Sequence, residues 1–515
     1  MVTIMVSVLI AVVITLIGKW GWKVLNWAWL KPKKLEKWLT EQGYKGNSYK
    51  VLIGDMKEFA TTMKGIKSKH ISVSHDIVSH VLPFDHHIIT KYGKRSYIWV
   101  GPIARIYITD PELIKNILSR PNDFQKPHPE PIRDSITGGL LILEGSKWAK
   151  HRQIINPAFH LENIKSMFSV ICWSCSDMIK KWELLTAGTG CVEVDVWPYI
   201  DNLAGDVISR TAFGSCYEEG HKIFRIQKQQ IDLVLQLLFT LNLPGGRFIP
   251  TRANKMFKEN GNNQRALLMS IIDKRKKAIE MGEDSTDDLL GILLKSNTKE
   301  IEEDGVGMSM EDVIQECKLF YAAGSETTSN LIAWTIVCLS LDQEWQTRAR
   351  DEILTVFGTQ ELHFEGLKHL KILTMILNEV LRLYPPAIMV IRATHKETRL
   401  GDMMIPSGVH LTIPILNVHH DPEIWGEDAT RFKPERFLEG IAGATKGKGS
   451  SCFLPFGGGP RVCIGQNFAM IEAKVAIAKI LRRFSFELSS SYKHSPFPSF
   501  TLPPQFGVHL VLRMI

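Results

Sequence analysis

The chain has 515 residues, of which 44% are hydrophobic and 23% charged, so it can bury a large core, while its length leaves the number of domains open. Its formal charge of +8 comes from 62 basic and 54 acidic residues spread along the chain, without the clustered arginines and aromatics of a nucleic-acid surface. Nucleic acid is therefore not an expected partner, and a membrane surface or an acidic protein fits better. Eight irregularly spaced cysteines are too few for a disulfide framework and indicate reduced thiols facing the cytosol.

The N-terminal segment has the pattern of a membrane anchor. Residues 1–18 carry no charge, and lysines follow at positions 19, 23, 31, 33 and 34. A cleaved secretory signal is the alternative, but the segment lacks a positive n-region and a small-residue cleavage site. The basic flank predicts that the rest of the chain stays cytosolic, and the short span suits the thin membrane of the endoplasmic reticulum. We therefore expect a single-pass anchor over 1–18, a basic aromatic linker over 19–48 and a catalytic domain over 49–515.

Beyond the anchor, the pattern is mainly helical. Apolar residues recur at helical spacing in long segments, whereas segments with the strand pattern are short and few. We expect one large, mainly α domain with small β-sheets. The stretches 281–288 and 298–307 are predicted as polar loops, and the proline-rich stretch 126–140 as a stiff lid over a pocket.

The sequence "FLPFGGGPRVCIGQNFA", residues 453–469, sets Cys463 among glycines and beside Arg461. A haem iron held by a thiolate needs one deprotonated cysteine, backbone amides near the sulfur, and glycines that let the chain approach the porphyrin. Arg461 could pair with a propionate and Phe456 could pack over the sulfur. Zinc and iron–sulfur sites need several ligands at short spacing, and none lie near Cys463.

The other cysteines have simpler explanations. The alternative for any cysteine is a buried free thiol, and we accept this for the cysteines at 191, 216, 317, 338 and 452. Cys172 and Cys175 form a CxxC pair without a second pair, which gives little support for a metal or redox role.

The loop resembles the haem-binding motif FxxGxRxCxG of the cytochrome P450 family, with matches at Phe456, Gly459, Arg461, Cys463 and Gly465. The resemblance implies the fold of that family, which is a mainly α domain with small β-sheets around haem b. It also implies that Cys463 is the ligand of the haem iron.

A second segment, "AAGSETTSN" at 322–330, resembles the oxygen-binding helix motif [AG]Gx[DE]T of the family. Core packing alone explains it badly, because glycine is a poor helix former and a buried glutamate is costly. The resemblance implies that Ala323 and Gly324 leave room for dioxygen. It further implies that Thr327 handles oxygen and its protons while Glu326 relays protons from solvent. This pair of acid and alcohol favours monooxygenation over peroxide rearrangement.

Two further segments follow the family order. "NEVLRLYPP" carries Glu379 and Arg382, and "PERF" carries Arg436. A glutamate and an arginine three residues apart on a helix are by themselves worth only a few tenths of a kcal/mol. The resemblance implies that these three residues form a structural triad that locks the core behind the haem loop.

Upstream, "WAKHRQI" presents Trp148 and Arg152 four residues apart, which resembles the WxxxR haem-propionate contact of the family. Arg392, in "MVIRATHKE", stands where the family has another propionate ligand. With Arg461, the resemblance implies three cations for two carboxylates.

The whole chain resembles the plant microsomal clan that contains secologanin synthase, deoxyloganic acid hydroxylase and triterpenoid or steroid oxidases, although only Pro32 stands where the family has a proline-rich hinge. The resemblance implies a haem-thiolate monooxygenase that hydroxylates or successively oxidises a bulky hydrophobic terpenoid, with a triterpenoid or steroid favoured. The predicted pocket lining is apolar and includes Phe320 and Tyr321. Electrons from NADPH are expected through a separate membrane-bound reductase, because the chain has no flavin or nicotinamide motif.

Several alternatives remain open. An iridoid, secoiridoid or gibberellin-type oxidase of the same clan is one. A haem-thiolate isomerase or dehydratase that needs no reductase is another, and a haem protein that binds ligand without turnover is the third. Glu326 and Thr327 argue against the last two.

Overall fold

The computed structural model describes residues 2–66, 69–127, 138–214, 217–241, 251–282, 288–305 and 307–515, which are mostly helical. The α-helices of these residues are α1 (Val2–Leu25), α2 (Lys31–Glu41), α3 (Met56–Ile66), α4 (Val78–Val81), α5 (Pro83–Tyr92), α6 (Pro111–Ser119), α7 (Gly145–Ile155), α8 (Leu161–Thr186), α9 (Trp197–Phe213), α10 (Tyr217–Leu241), α11 (Arg252–Glu280), α12 (Leu289–Asp304), α13 (Met310–Leu341), α14 (Gln343–Phe357), α15 (Lys371–Leu383), α16 (Ile415–His419), α17 (Pro422–Trp425), α18 (Gly440–Ala444) and α19 (Gln466–Leu481). Most of the predicted lid, residues 128–137, and Cys216 lie outside the described residues.

The strands are short, as the sequence pattern predicts. They are β1 (Lys45–Gly46), β2 (Ser96–Val100), β3 (Ile103–Tyr107), β4 (Phe124–Gln125), β5 (Cys191–Asp195), β6 (Val390–Thr394), β7 (Thr398–Leu400), β8 (Met403–Ile405), β9 (His410–Ile413), β10 (Phe484–Leu488) and β11 (His509–Met514). The expectation of a mainly α fold with small sheets is confirmed.

The chain forms two compact units. The first comprises Met1–Lys69, Val78–Pro127 and Met389–Asn417, and the second comprises His70–Ile77, His128–Ile388 and Val418–Ile515.

The first unit contains the larger sheet, with strand order β1-β2-β3-β9-β6-β4, and the separate β7-β8 hairpin. Strands β2 and β3 are antiparallel, whereas β3 and β9 are parallel. Phe84 and Ile88 of α5 pack on Ile98 and Tyr107 of the sheet. The Tyr107 hydroxyl donates to the buried Asp85 carboxylate at 2.7 Å, so the charge of that carboxylate is partnered.

The first unit also carries the N-terminal helix. Helix α1 continues through a π-helical turn, Asn26–Leu30, into α2, and the residues from Ile4 to Glu41 include a stretch long and apolar enough to cross a membrane. No helix break occurs at residue 18, so the predicted boundary between anchor and linker stays a prediction. Pro32 lies in the first turn of α2, where a missing N–H is tolerated. The Tyr49 hydroxyl ties the turn to the unit by donating to the Ala28 carbonyl at 2.6 Å.

The second unit is organised around α13, which we call the distal helix. A capping box between Ser309 and Asp312 begins this helix of 32 residues, and most of its side chains are buried against neighbouring helices. Strands β10, β11 and β5 form a three-stranded antiparallel sheet in the same unit.

Two predictions from sequence are wrong. The stretch from Thr298 is helical to Asp304, because Gly305 adopts a left-handed φ of 68° and caps the helix there. Cys191 is exposed rather than buried, because it lies at the start of the edge strand β5 and shares the outward face with Glu193. Of the other predicted loop, residues 283–287 lie outside the described residues.

Candidate active site

The loop before Cys463 is shaped by its glycines. Gly457 and Gly459 have φ values of 72° and 66°, in the left-handed region that L side chains rarely adopt. The turn brings the Cys463 amide to the Phe456 carbonyl, to which it donates at 2.9 Å. Helix α19 begins at Gln466, so the thiol lies just ahead of a helix N-terminus.

The Cys463 side chain is exposed but closely surrounded. The residue is exposed to solvent, yet protein atoms surround the sulfur closely enough that desolvation raises its pKa. The Gly465 amide, through a hydrogen bond, and the Arg152 charge both lower that pKa, so they favour the thiolate. A side chain at Gly465 would put a Cβ 4.0 Å from the Cys463 sulfur and 3.7 Å from the Phe159 ring.

The middle of the distal helix is also partly exposed. Ala323 is exposed although the residues on either side of this stretch are buried, and Thr327 is partly exposed. The Thr327 hydroxyl donates to the Ala323 carbonyl at 2.6 Å. Gly324 faces Ile208 of α9, and an added Cβ would lie 2.7 Å from its Cδ1, so close helix packing is sufficient to explain the glycine. The predicted role of Gly324 toward dioxygen stays a prediction.

Glu326 lines a different space from Thr327. A cavity of about 150 Å³ lies between α9, α10 and the distal helix, with Glu326, Asp201, Arg225 and Lys228 in its wall. Burial raises the pKa of Glu326, while a hydrogen bond to Thr501 opposes the shift. Asp201 also raises this pKa, and Asp201 forms an ion pair with the exposed Lys228. The cavity is large enough by volume for several water molecules, and the exposed Arg225 and Lys228 line it together with Glu326.

Helix α7 presents Trp148 and Arg152 on one face, as predicted, and both contact the cysteine loop. The Arg461 guanidinium lies over the Trp148 ring, with its carbon 4.4 Å from the ring centroid. Arg152 donates to the Val462 carbonyl at 2.9 Å. Arg461 also pairs with Glu144, a carboxylate that the sequence motifs did not point to, while its buried Nε finds no protein partner among the described residues.

Arg392 belongs to the first unit, whereas the other predicted haem contacts belong to the second. It lies in β6, is buried, and donates to the Ile391 carbonyl at 3.0 Å. Its predicted role as a propionate ligand stays a prediction.

The structure brings the predicted triad together. Glu379 and Arg382 are fully buried on α15 and form two hydrogen bonds of 2.8 Å and 2.7 Å, and the Arg436 Nε lies 3.3 Å from the same carboxylate. Arg382 also donates to the His419 and Ala429 carbonyls at 2.8 Å and 2.6 Å. This degree of pairing is what a buried charge requires.

His419, which sequence reasoning missed, links the triad to the cysteine loop. Burial and the Arg382 charge lower the pKa of His419 to about 3, so the ring is neutral. Its Nδ1 donates to the Arg382 carbonyl at 3.2 Å, and its Nε2 accepts the Leu454 amide at 2.9 Å. The motif around His419 carries no chemical signature in the sequence, and only the long-range contact reveals the link.

Two of the residues predicted to line a pocket are packed within the second unit. Tyr321 is fully buried and stacks on Phe213 with ring centroids 4.1 Å apart. Phe320 is also buried and lies against Phe159.

The donor set around Cys463 fits an iron porphyrin. Cys463 is an exposed thiol, and two arginines, Arg152 and Arg461, contact the same loop. Arg461 has an unpartnered buried Nε, which a carboxylate of a cofactor could accept from. Among the described residues no three metal-ligating side chains gather, so the thiol has no protein co-ligand for a bare metal ion.

Comparison with known proteins supports the same cofactor. The family model described as Cytochrome P450 matches residues 79–511. The chain is 51% identical to "Cytochrome P450 CYP72A219" of Panax ginseng over 96% of each chain, and 48% identical to "Cytochrome P450 72A15" of Arabidopsis thaliana over 99% of each. It is also 47% identical, over 99% of each chain, to the "7-deoxyloganic acid hydroxylase" of Catharanthus roseus.

Proposed function

The chain belongs to the cytochrome P450 family and is a haem monooxygenase of plant type; on that premise we propose that it hydroxylates or successively oxidises a bulky hydrophobic terpenoid. A triterpenoid or steroid is the substrate we favour. The observation that carries the proposal is the exposed thiol of Cys463 in its glycine-rich loop, together with the distal-helix positions Ala323, which is exposed, and Thr327, which is partly exposed.

Bound haem supplies the activation of dioxygen from which one oxygen atom enters the substrate. Cys463 would hold the haem iron as a thiolate, and the Gly465 amide hydrogen bond tunes the electron donation of that sulfur. Arg152 and the Nε of Arg461, which has no partner among the described residues, would bind the propionates. The Trp148 ring would hold the Arg461 guanidinium against its face.

Thr327 and Glu326 would manage protons. The Thr327 hydroxyl lies at the exposed stretch and can exchange its bond to the Ala323 carbonyl for one to a reacting oxygen. The raised pKa of Glu326 favours its protonated form, and the cavity beside it leads past Asp201 and Lys228 toward solvent. Glu326 is therefore suited to take up a proton from water and pass it on.

An iridoid is the second substrate class, and one finding favours it specifically. The Catharanthus roseus relative, at 47% identity over nearly the full length, is named for the hydroxylation of 7-deoxyloganic acid. Both classes are terpenoids that reach the site from a membrane or the cytosol.

We also propose the setting of the reaction. The apolar helix α1 would anchor the chain in the endoplasmic reticulum membrane, with the lysines that follow on the cytosolic side. A separate membrane-bound reductase would deliver electrons from NADPH, and the mild positive excess of the chain suits an acidic docking face on that partner.

The test is spectroscopic and then catalytic. Microsomes containing the full chain should give the thiolate-type Soret band of the reduced carbon monoxide complex, and a triterpenoid, steroid or iridoid from a panel should shift the spin state of the ferric haem. Product should then require both NADPH and the reductase. A histidine-type band would refute Cys463 as the ligand, and turnover without NADPH or reductase would favour the isomerase instead.

A further inference from the structure

One buried carboxylate, that of Glu316 on the distal helix, joins this helix to two separate parts of the segment 138–155. Its Oε2 accepts the backbone amide of Leu140 at 3.1 Å, and its Oε1 lies 2.6 Å from the Nδ1 of His151 on α7. The side chains of Glu316 and His151 are 0% and 4% exposed. Both oxygens of a fully buried carboxylate are therefore partnered across two elements, as its burial requires.

The backbone around this carboxylate is adapted to it. Gly139 has a φ of 59°, and an added Cβ would lie 2.4 Å from the Glu316 Oε2 and 2.7 Å from its carboxyl carbon. Glycine at 139 is thus needed for close approach to the carboxylate as well as for the left-handed turn. The turn 139–141 consequently sits directly on the Glu316 side chain.

A second contact extends the link along the same face of α7. The Nε2 of His151 lies 3.9 Å from the Asp312 carboxylate, and Lys147 forms an ion pair of 2.6 Å with that carboxylate. Asp312 and Glu316 are one turn apart on the distal helix, so two successive turns hold α7. The His151 ring is the buried centre of this arrangement.

We propose that Glu316 and His151 form a buried clamp that sets the position of α7, and with it Trp148 and Arg152, against the distal helix. Glu316 is then a positioning residue that acts through α7. Trp148 and Arg152, three residues before and one residue after His151, are the ones expected to contact the haem propionates. This consequence for haem seating rests on the proposed function, whereas the clamp itself does not.

Hydrogen–deuterium exchange of the full chain tests the clamp without using activity. In the parent protein the Leu140 amide should be protected from exchange although it lies in a short turn, because it donates a hydrogen bond to the Glu316 carboxylate. Gly139→Ala should lower protection of residues 138–155 by about tenfold or more, since it drives a methyl group into the Glu316 carboxylate. Gly145→Ala is the matched control, because Gly145 also has a φ of 59° but an added Cβ meets nothing within 4 Å.

Equal effects of the two alanine variants would overturn the clamp, since both carry the same backbone strain. If Gly139→Ala does not fold, the parent protein still decides, because a Leu140 amide that exchanges as fast as an unbonded one refutes the contact. Glu316→Gln adds a second variant of the same shape: its oxygen can still accept from the Leu140 amide, but the oxygen that accepts from the His151 Nδ1–H is replaced by an NH2 group, which is a donor. Glu311→Gln, at an exposed position on the same helix, is its control.

The rate of haem transfer to excess apomyoglobin tests the consequence for haem seating. Counted per folded holoprotein, this rate is insensitive to a lower folding yield. Glu316→Gln should lose haem about tenfold faster than Glu311→Gln, because α7 is no longer held. If the two variants lose haem at equal rates while Glu316→Gln still alters hydrogen–deuterium exchange, the consequence for haem seating is refuted and the clamp stands. A parent protein without a thiolate-type carbon monoxide band would instead show that the proposed function has failed.

Discussion

At the scale of single residues, the conformation of the chain explains why the cysteine loop can be recognised. Gly457 and Gly459 need positive φ, and the Cys463 amide donates to the carbonyl of Phe456, which is only seven residues earlier in the chain. These requirements are local, so they appear in the sequence as a motif of neighbouring residues. The Glu144 partner of Arg461 is over 300 residues away in sequence and leaves none.

We expect Cys463→Ala to lose haem, because the substitution removes the exposed thiol that would hold the iron. Haem content per protein and the carbon monoxide difference spectrum measure this loss directly. Cys191→Ala is the control, since Cys191 is an exposed thiol on the edge strand β5, and its haem content should equal that of the parent. An unchanged spectrum in Cys463→Ala would refute the ligand assignment.

We expect Thr327→Val to keep its haem but to release hydrogen peroxide, with product per NADPH falling roughly tenfold or more. The hydroxyl at the exposed stretch is removed while the shape of the side chain is kept. Thr335→Val makes the same change two turns along the helix, where the buried hydroxyl also donates to the carbonyl four residues earlier, at 2.7 Å. Equal loss of coupling in both variants would mean that Thr327 acts only through helix structure.

At the scale of elements, the triad holds α15 against the segment that leads to the cysteine loop. Arg382→Ala would leave the Glu379 carboxylate buried with one charge partner fewer, which costs about 3–5 kcal/mol. We therefore expect little folded holoprotein from this variant, measured as haem-containing protein per total expressed chain. Arg265→Ala removes an exposed arginine that pairs with the exposed Glu311, and should cost under about 1 kcal/mol. A normal yield from Arg382→Ala would refute the structural role.

Helix α19, which follows the cysteine loop, contains a buried carboxyl group that makes stability depend on pH. Glu472 is buried beside Cys175, and neither carboxyl oxygen has a hydrogen-bond partner among the described residues. Burial raises the pKa of Glu472 well above its usual value. The folded state therefore keeps the proton at pH values where the unfolded state, with a pKa of about 4.3, has lost it.

This carboxyl contributes a stability that is complete below the unfolded pKa and is lost as pH rises toward the folded pKa. We expect Glu472→Gln, which cannot ionise, to unfold at a higher temperature than the parent protein, with a difference that grows from pH 5 to pH 8. Thermal unfolding across that range measures it, with Glu344→Gln on the exposed surface of α14 as control. A difference that stays constant with pH would contradict the buried, protonated carboxyl.

At the scale of the whole molecule, attachment to the membrane depends on α1. Deleting residues 2–25 removes every residue of that apolar helix, and we expect the shortened chain to be extracted from microsomes by alkaline carbonate while the full chain is retained. In the proposed orientation, which places the lysines that follow the helix on the cytosolic side, a glycosylation acceptor added before Met1 should be modified and one added after Ile515 should not. The reverse pattern would refute the orientation.

The sequence motifs indicate which residues form the candidate site, but they do not show which contacts explain each residue. Gly324 was expected to leave room for dioxygen, whereas its closest neighbour is Ile208 of α9. Glu326 and Thr327 are adjacent in sequence but line different spaces, because successive helix positions point about 100° apart. The sequence singles out such residues but leaves open what each one faces.

The sequence alone determined the family, the mainly α fold and the apolar N-terminal helix, because each depends on motifs or hydrophobic patterns within short stretches of the chain. Only the tertiary structure revealed that Glu144 pairs with Arg461, that His419 links the triad to the loop, and that Glu316 holds both Leu140 and His151. Such contacts join residues far apart in the chain. Burial makes their polar pairing necessary, but many partners would satisfy it, and packing selects which one does.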